Sequence, residues 1–540
     1  MQIRKSFWTP AVIGLIAVIS GGWLLQQGGQ GNVYTKNKVF TDVLRTVSDR
    51  YVEEIDPAEL YDLAIDGLLQ QLGDPHSTLL RPEDYADLRL STTGNYGGLG
   101  IRIDQKDDWI TVVQTLPNTP AERVGLRPGD RLIEVGGESM RGWNPDKAVS
   151  ALRGPKGSAI DLMIMRIGVP EPFPVTIERD EIHVVYVTAF MYEPRIGYIR
   201  HQQFSAHSAD EIRAAIASLD EEGMESLILD LRGNPGGLLD EGVAVSDIFL
   251  KSGSEVVETR SRVPDQNDTF FAEHKPIDAD VPVIVLVDYF SASASEIVAG
   301  ALQDHDRALV VGTPTYGKGS VQTLYPLQGG NFLKLTTAKW YTPSGRSIQR
   351  EQGDQTATVI AMDGVSGEPN EMSASAEVFY TTSGREVYGG GGINPDLMVR
   401  TDTTTVVERE FRTMLGEQMA SYYDAVFRFA VAYADAHPEL NAEFGVTPKM
   451  LGDLYAWLED SGLEVDRELY EGSRRLVERE LGIQLATVAF DEVTSLRQRL
   501  VLDRQVEMAA ELLREGGSQS QLFALAETRQ GDELPVVHEQ

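Results

Sequence analysis

Apolar and polar positions alternate with different periods along the chain. Two stretches near the start have apolar residues at helical spacing and end at the turn Gly73-Asp74-Pro75. From about residue 196 to residue 350, short apolar runs typical of buried strands alternate with helical patterns. From Thr405 to about Arg514 the apolar positions follow a helical period. The pattern predicts an α/β core followed by an all-helical region.

A long apolar run also lies at the start of the chain. Arg4 and Lys5 precede it, and the run from residue 7 to 25 is about as long as a helix needs to cross a bilayer. Positive residues before such a run favour an N-terminus in the cytoplasm and the remaining chain outside. We expect an uncleaved signal anchor, and the alternative is cleavage at Ser20-Gly21-Gly22.

Composition excludes several kinds of chemistry. The 540 residues include no cysteine, which excludes thiol catalysis, disulfides and thiolate metal sites. The formal net charge of −34 disfavours nucleic acid as a partner. The eight histidines are scattered, and no His, Asp and Glu cluster has metal-ligand spacing. We therefore expect no metal and no other cofactor.

Three serines lie between a predicted strand over 281–287 and a predicted helix over 296–303. The turn reads Ser-Ala-Ser-Ala-Ser from residue 291. A tight connection from strand to helix exposes a serine at a helix N-terminus, where backbone N–H groups can hold a developing oxyanion. In the alternative interpretation, the serines only cap the helix.

A nucleophilic serine needs a base, and Lys318 is the best candidate. Gly317 and Gly319 flank it and let the backbone pass close to another segment. Lysine is a general base only if burial lowers the pKa of its amine. A strand over 320–327 would place Lys318 and Gln322 on one face, where the amide could hold the amine without restoring its charge.

The serine turn and the segment Tyr-Gly-Lys-Gly-Ser-Val-Gln resemble the carboxyl-terminal processing proteases, the tail-specific, PDZ-containing serine proteases of family S41. The family uses a Ser–Lys dyad whose lysine lies 25 positions after the serine. The resemblance implies that Ser293 is the nucleophile and Lys318 the base. It also implies that Gln322 orients the base and that Asp304 supports the site.

The run Asp-Leu-Arg-Gly-Asn-Pro-Gly-Gly from Asp230 resembles a second hallmark of this family. The resemblance implies that the N–H groups of Ala294 and Gly236, or Gly237 in its place, form the oxyanion hole. Such donors lower the barrier by a few kcal/mol. The alternative is an ordinary glycine turn after a parallel strand.

Residues 92–178 resemble a PDZ domain. The loop Tyr-Gly-Gly-Leu-Gly-Ile from Tyr96 and the segment Pro-Ala-Glu-Arg-Val-Gly-Leu-Arg-Pro-Gly-Asp from Pro120 carry this resemblance. It implies that a substrate's terminal carboxylate binds the loop and that the substrate extends the next strand. In the alternative, the domain has lost ligand binding and acts as a spacer. The implied peptide-binding residues are Gly98, Leu99, Gly100 and Ile101.

We predict an α/β (α+β) protease core with an inserted PDZ domain, an N-terminal helical segment and a C-terminal all-helical region. The resemblance covers about residues 35–400, and we expect the helical region beyond it to be a satellite or a dimerisation element. We expect an inserted loop or hairpin over 352–391. The predicted segments are a signal anchor and linker over 1–31, the N-terminal helical segment over 32–91, the PDZ domain over 92–178, the Ser–Lys protease core over 179–400, the helical C-terminal domain over 401–515 and a flexible tail over 516–540.

The predicted function is that of an extracytoplasmic, periplasmic serine endopeptidase anchored in the inner membrane. Its expected partners are proteins or peptides with exposed C-terminal tails and further copies of the chain, and the need for an adaptor protein stays open. The domain order suggests that the PDZ domain covers the site until a ligand moves it. Two alternatives remain: an enzyme with His201 or His305 as its base, and a non-catalytic PDZ scaffold on a relic protease core.

Overall fold

The computed structural model describes residues 33–277, 280–350, 377–401 and 404–529. The predicted signal anchor lies outside these ranges, as does most of the predicted inserted loop. Among the helices in these four ranges, none combines the length and the hydropathy of a membrane span. The chain divides into two compact units, the first containing the residues up to Glu83 together with Gln322–Thr336, and the second containing the remainder.

The first unit contains two helices and short strands. The helices are α1 (Val33–Arg50) and α2 (Pro57–Gln70), in agreement with the apolar periodicity. Asp56 caps α2 by accepting a hydrogen bond from the Ala58 N–H at 2.7 Å. Strand β1 (Thr78–Leu80) pairs antiparallel with the first residues of β18 (Phe332–Tyr341), which also pairs with β17 (Ser320–Pro326).

An antiparallel sheet in the second unit forms the predicted PDZ domain. Its strand order is β3-β4-β5-β7-β8, with β6 at the side of β5. A separate ribbon of β2 and β9 pairs the chain entering this domain with the chain leaving it. The elements are α3 (Pro82–Thr93), β2 (Asn95–Gly98), β3 (Ile101–Lys106), β4 (Trp109–Thr115), α4 (Pro120–Arg123), β5 (Arg131–Val135), β6 (Glu138–Ser139), α5 (Pro145–Leu152), β7 (Ala159–Met165), β8 (Phe173–Glu178) and β9 (Asp180–His183).

A six-stranded sheet forms the centre of the predicted protease core, in the order β10-β11-β12-β15-β16-β21. Strand β10 is antiparallel to β11, and the other neighbours are parallel. The inner strands are buried on both faces, which explains their continuous apolar runs. The strands are β10 (Val187–Glu193), β11 (Ile196–His201), β12 (Ser226–Asp230), β15 (Val283–Val287), β16 (Leu309–Gly312) and β21 (Leu397–Met398).

Three helices cover one face of this sheet, namely α6 (Ser208–Glu221), α7 (Leu239–Asp247) and α8 (Ala294–Asp304). Their apolar side chains pack against Leu227, Leu229 and the odd-numbered valines of β15. Strand β13 (Glu255–Arg260) pairs with β14 (Asp268–Phe271) and with the last residues of β18. A small hairpin joins β19 (Val378–Tyr380) to β20 (Glu386–Tyr388).

The C-terminal region is helical, as predicted. The helices over 406–489 form an apolar core of their own, as a satellite does, whereas the helices over 492–529 join the sheet. Helices α14 to α16 pack on the other face of the sheet, against Ile228, Ile284 and Leu286. The prediction of a flexible tail from residue 516 is wrong for α16, whose Leu522 and Ala526 are buried. The helices are α9 (Val406–Leu415), α10 (Met419–Ala436), α11 (Pro448–Asp460), α12 (Arg467–Gly472), α13 (Arg474–Ala489), α14 (Glu492–Leu500), α15 (Arg504–Glu515) and α16 (Gln519–Arg529).

Candidate active site

Ser293 lies at a sharp bend between β15 and α8. Its φ of 55° and ψ of −113° are unusual for a residue with a side chain. Such a conformation costs on the order of 1–3 kcal/mol and persists only where the surroundings fix it. Ser293 directly precedes the first residue of α8 and is partly exposed. The bend therefore presents its side chain at the N-terminus of a buried helix, as the sequence predicted.

The three serines of this turn have different environments. Ser291 is fully buried and donates its hydroxyl to the Leu231 carbonyl at 2.9 Å. Ser295 is also fully buried and donates to the Asn234 carbonyl at 2.9 Å. The two outer serines thus bind the loop that follows β12. Of the three, Ser293 has the hydroxyl best placed to meet a substrate.

The Glu296 carboxylate binds the backbone at both predicted dyad residues. Its Oε2 accepts from the Ser293 N–H at 2.8 Å and from the Lys318 N–H at 2.9 Å. Because these bonds of 2.8 and 2.9 Å share one oxygen atom, the two nitrogen atoms lie less than about 6 Å apart. Its Oε1 accepts from the Thr315 hydroxyl at 2.5 Å and from the Gly317 N–H at 2.7 Å. Burial raises the pKa of the Glu296 carboxyl, and the four donors offset part of the rise.

Lys318 lies in a closely packed segment at the start of β17. At Gly317, with a φ of 88°, a Cβ atom would lie 2.9 Å from the Arg350 Cβ. A Cβ atom at Gly319 would lie 3.0 Å from a backbone nitrogen of the same neighbouring segment. The Lys318 carbonyl accepts from the Trp340 indole N–H at 3.1 Å, and Lys318 is partly buried. The expected close approach of the backbone is confirmed.

The loop after β12 lies directly against the nucleophile turn. Gly236 has a φ of 90°, and a Cβ atom there would lie 2.5 Å from the Ala292 carbonyl oxygen and 2.7 Å from the Ser293 Cβ. The same position is 2.9 Å from the Ala294 nitrogen, so both predicted oxyanion donors lie beside Ser293. In this conformation the Gly236 N–H donates to Asn234 Oδ1 at 2.9 Å.

Asp304 and Gln322 have hydrogen-bond partners of their own. Asp304 is the last residue of α8, about 15 Å along the helix from the first. Its carboxylate accepts from Arg346 Nη2 at 2.8 Å and from the Ser344 N–H at 3.0 Å. Gln322 belongs to the first compact unit, where its Nε2 donates to Thr336 Oγ1 at 3.3 Å. Asp304 holds the C-terminal end of α8, and the catalytic roles of both residues stay predictions.

His201 and His305, the alternative bases, are hydrogen-bonded elsewhere. His201 is fully buried, its Nε2 lies 3.0 Å from Ser208 Oγ, and burial lowers its pKa to about 4. His305 follows α8 and donates from Nε2 to the Glu255 carbonyl at 2.7 Å. About 15 Å of helix separates it from Ser293. Neither arrangement favours a histidine as the base.

The predicted peptide-binding loop of the PDZ domain joins β2 to β3. Gly100 has a φ of 77°, and a Cβ atom there would lie 2.3 Å from the Thr119 side chain. The Leu99 and Gly100 carbonyls accept from the Ala121 and Leu116 N–H groups at 2.9 Å each. No acceptor for the Leu99 or Gly100 N–H lies among the described residues. A carboxylate-binding loop needs such open donors before its ligand arrives.

Comparison with known proteins gives matches to three family models and to curated relatives. The model of peptidase family S41 matches residues 195–359, the PDZ model matches 87–165, and the model of the activating protease CtpB N-terminal domain matches 26–83. The chain is 42% identical over 353 residues to the carboxy-terminal-processing protease of Bartonella bacilliformis, covering 64% of this chain and 81% of that relative. It is 35% identical over 305 residues to the carboxy-terminal processing protease CtpA of Bacillus subtilis, covering 56% and 65%.

A solved structure of a photosystem II D1 C-terminal processing protease is also similar, at 30% identity and a TM-score of 0.34, covering 57% of this chain and 83% of that chain. The two family models and the Bartonella bacilliformis relative define a PDZ-containing serine protease. The chain belongs to the S41 family of carboxy-terminal processing proteases. The predicted fold class and enzyme class are thereby confirmed.

Two residues of the site, Glu296 and Asn234, were not predicted from the sequence. Glu296 lies three positions after Ser293, the spacing of a capping box, and this signal could have identified it. Asn234 is fully buried; its Nδ2 donates to the His201 carbonyl at 2.9 Å and its own carbonyl accepts from the Ala292 N–H at 3.0 Å. It fastens the glycine loop to the nucleophile turn, and no sequence pattern indicates that contact.

Proposed function

We propose that the chain cleaves peptide bonds with Ser293 as the nucleophile and Lys318 as the general base. The observation that carries the proposal is the single Glu296 oxygen atom that binds the backbone of both residues. The strained backbone of Ser293 supports it further, because such strain concentrates at functional sites.

In the proposed reaction, neutral Lys318 accepts the hydroxyl proton while Ser293 Oγ bonds to the scissile carbonyl carbon. The carbonyl electrons move to oxygen, where the Ala294 N–H and a glycine N–H stabilise the charge. The C–N bond then breaks, and the leaving amine takes the proton from Lys318. Water hydrolyses the ester and releases the carboxylate product. Gly236 can donate to the oxyanion if its N–H group leaves Asn234 Oδ1. The alternative donor is Gly237, whose N–H has no acceptor among the described residues.

The proposed substrates are proteins with an exposed, unstructured C-terminal tail. The tail's carboxylate would take the open N–H groups of Leu99 and Gly100, and its backbone would pair with β3 beginning at Ile101. Gly98, at the end of β2, lets the loop turn close to the ligand. A peptide whose C-terminus is amidated should bind more weakly, because it lacks the charge that these donors attract.

We also propose an extracytoplasmic enzyme, anchored through the apolar run at residues 7–25. Its support is the length of that run and the positive residues before it. Fractionation of cells that express the full chain checks this. Recovery in the membrane fraction after a high-salt wash is expected, and recovery in the cytosol contradicts the proposal.

Assembly into an oligomer through the N-terminal helices is a further part of the proposal. Helix α1 has no buried residue, and Val39, Phe40 and Val43 on it are about half exposed. A second copy of the chain would remove these side chains from water. Replacing Phe40 with Glu should lower the mass measured by analytical ultracentrifugation, and an unchanged mass contradicts this interface.

The central test measures hydrolysis of a fluorescence-quenched, unstructured peptide with a free C-terminus. Ser293→Ala and Lys318→Ala should each lower kcat by about 10³-fold or more. The matched controls are Ser291→Ala, which removes a buried structural hydroxyl, and Lys339→Ala, which removes an exposed lysine, and both should stay within about tenfold of wild type. Equal cleavage by wild type and Ser293→Ala would favour the scaffold alternative, and surviving activity in Lys318→Ala would exclude the dyad.

A further inference from the structure

The Arg232 guanidinium joins the oxyanion loop to the C-terminal helices. Arg232 directly precedes the loop Gly233–Gly237, and 11% of its side chain is exposed. Its Nε and Nη2 bind the Asp230 carboxylate at 2.9 and 2.6 Å. Its Nη1 binds the Asp503 carboxylate at 2.9 Å and the Gln505 side-chain oxygen at 2.8 Å. All three guanidinium nitrogens are thus held at once.

Asp230 fixes the backbone of Arg232 as well as its side chain. The carboxylate is fully buried, and its Oδ1 also accepts from the Arg232 N–H at 2.9 Å. A guanidinium bound in a planar, two-pronged manner cannot rotate without breaking several bonds. The orientation of the Arg232 side chain therefore sets the direction in which the chain enters the glycine loop.

The partners from the C-terminal region are themselves fixed. Asp503 caps α15, and its Oδ1 accepts from the N–H groups of Gln505 at 3.1 Å and Val506 at 3.2 Å. Gln505 is fully buried, and its Nε2 donates to the Val399 carbonyl at 2.7 Å. Helix α15 packs on the central sheet. Asp503 and Gln505 are thus rigid supports.

The same loop is bound from the nucleophile side by other contacts. The Gly233 N–H donates to Asp288 Oδ1 at 2.9 Å, and the Asn234 carbonyl accepts from the Ala292 N–H and the Ser295 hydroxyl. The loop therefore lies between two sets of contacts. One set comes from the serine turn and the other from the C-terminal helices through Arg232.

We propose that Asp503 and Gln505 are positioning residues for catalysis, which hold Arg232 and through it aim the N–H groups of the glycine loop at the oxyanion. They lie beyond residues 195–359, which match the family model. This inference rests on the proposed peptidase function. It gives the C-terminal helices a part in turnover, through Arg232, in addition to covering the sheet.

The test replaces Asp503 with Ser. Serine caps a helix as well as aspartate does, but it is too short to reach Arg232. The matched control is Asp491→Ser, because Asp491 caps α14 in the same way, accepting from the Thr494 N–H at 2.8 Å. With the quenched peptide, Asp503→Ser should lower kcat about 10- to 100-fold with KM within about twofold. The control should keep the wild-type kcat, and both variants should melt within a few degrees of each other.

A double-mutant cycle with Arg232→Gln separates positioning from a general structural effect. If Asp503 acts through Arg232, the double variant should have the kcat of Arg232→Gln alone. Asp503→Asn, which keeps an acceptor for the guanidinium, should restore part of the activity, and Gln505→Leu should lower kcat in the same direction. The proposal is overturned if the double variant loses the product of the two single-variant losses in kcat. It is also overturned if Asp491→Ser loses as much kcat as Asp503→Ser.

The Ser293→Ala variant distinguishes the two levels of failure. If Ser293→Ala cleaves as fast as wild type, the proposed function fails and the positioning role fails with it. If Ser293→Ala is inactive while Asp503→Ser behaves as its control does, the peptidase function stands and the role of the C-terminal residues is refuted.

Discussion

Replacing Glu296 by Asp should damage catalysis more than replacing it by Gln, although Asp keeps the charge. Aspartate is shorter by one methylene, about 1.5 Å, so it cannot bind Ser293 and still reach the donors in the segment before β17. The N–H groups of Gly317 and Lys318 would lose their acceptor. Each buried donor left without a partner costs about 1–3 kcal/mol, so unfolding should become easier by roughly 2–6 kcal/mol.

Glutamine has the same length as Glu296, but an NH₂ group replaces one of the two acceptor oxygens. Its oxygen can replace Oε2 and keep the Ser293 and Lys318 N–H bonds, while its NH₂ group faces Thr315 and Gly317. The Thr315 hydroxyl can turn to accept, which leaves the Gly317 N–H unpaired at a cost of about 1–3 kcal/mol. We expect kcat/KM within about tenfold of wild type for Gln and a loss of about 100-fold or more for Asp, since 1.4 kcal/mol of barrier is tenfold in rate.

Peptide hydrolysis and urea unfolding of both variants check this order. Glu408 provides the matched control, because it is 3% exposed and accepts from the Thr405 N–H at 2.8 Å in a second capping box within the C-terminal region. Its Asp and Gln variants should lose stability but keep the wild-type kcat/KM per folded molecule. If Glu296→Asp stays as active as Glu296→Gln, the shared oxygen atom does not position the dyad.

Three further outcomes are expected. Gly236→Ala should lower kcat/KM at least about 100-fold. Gly233 has a similar φ of 71°, but a Cβ atom there would lie 3.7 Å from its nearest neighbour, so Gly233→Ala should lower stability through backbone strain and leave kcat/KM nearly unchanged. Burial lowers the pKa of His201 to about 4 in the folded chain, so the unfolded chain binds more protons below pH 6.5. Lowering the pH from 7 to 5 should therefore reduce the free energy of unfolding by about 2 kcal/mol through this residue. Urea unfolding of His201→Gln should show a pH dependence that is smaller by this amount. Asp304→Ala should destabilise the fold by about 3–5 kcal/mol, because it leaves the buried Arg346 guanidinium without its carboxylate, while kcat of the folded fraction should stay within about threefold; a much larger loss of kcat would show that Asp304 acts in catalysis.

Sequence patterns located the core elements around Ser293 and Lys318 well, because each element repeats one simple period. The strand at 283–287 is apolar throughout, and a turn of small residues separates it from the helix that follows. What the patterns could not provide is the contact between segments far apart in sequence. Asn234 is hydrogen-bonded to Ala292 and Ser295, which follow it by 58 and 61 residues. No local sequence preference predicts a contact over such a separation.

The packing of α14, α15 and α16 on the central sheet could have been predicted from the sequence. Parallel strands that are apolar along their whole length must be covered on both faces. The core contributes α6, α7 and α8 to one face, so the second face needs helices from another part of the chain. The amphipathic helices after residue 490 have the required apolar stripes, and they do cover it. The expectation of a satellite therefore fails for the helices over 492–529, while the helices over 406–489 keep a core of their own.

The Glu296 carboxylate binds its neighbours mainly through their backbone N–H groups. A carboxylate offers about four lone-pair sites, and here the Ser293, Gly317 and Lys318 N–H groups and the Thr315 hydroxyl take four hydrogen bonds. Glu296 thus fixes the backbone of Lys318 through its N–H group. A carboxylate that bound the ammonium would hold the proton on Lys318 and prevent it from acting as a base. In the proposed mechanism, binding through backbone N–H groups lets Glu296 bring Lys318 to Ser293 without using the side-chain nitrogen of the lysine.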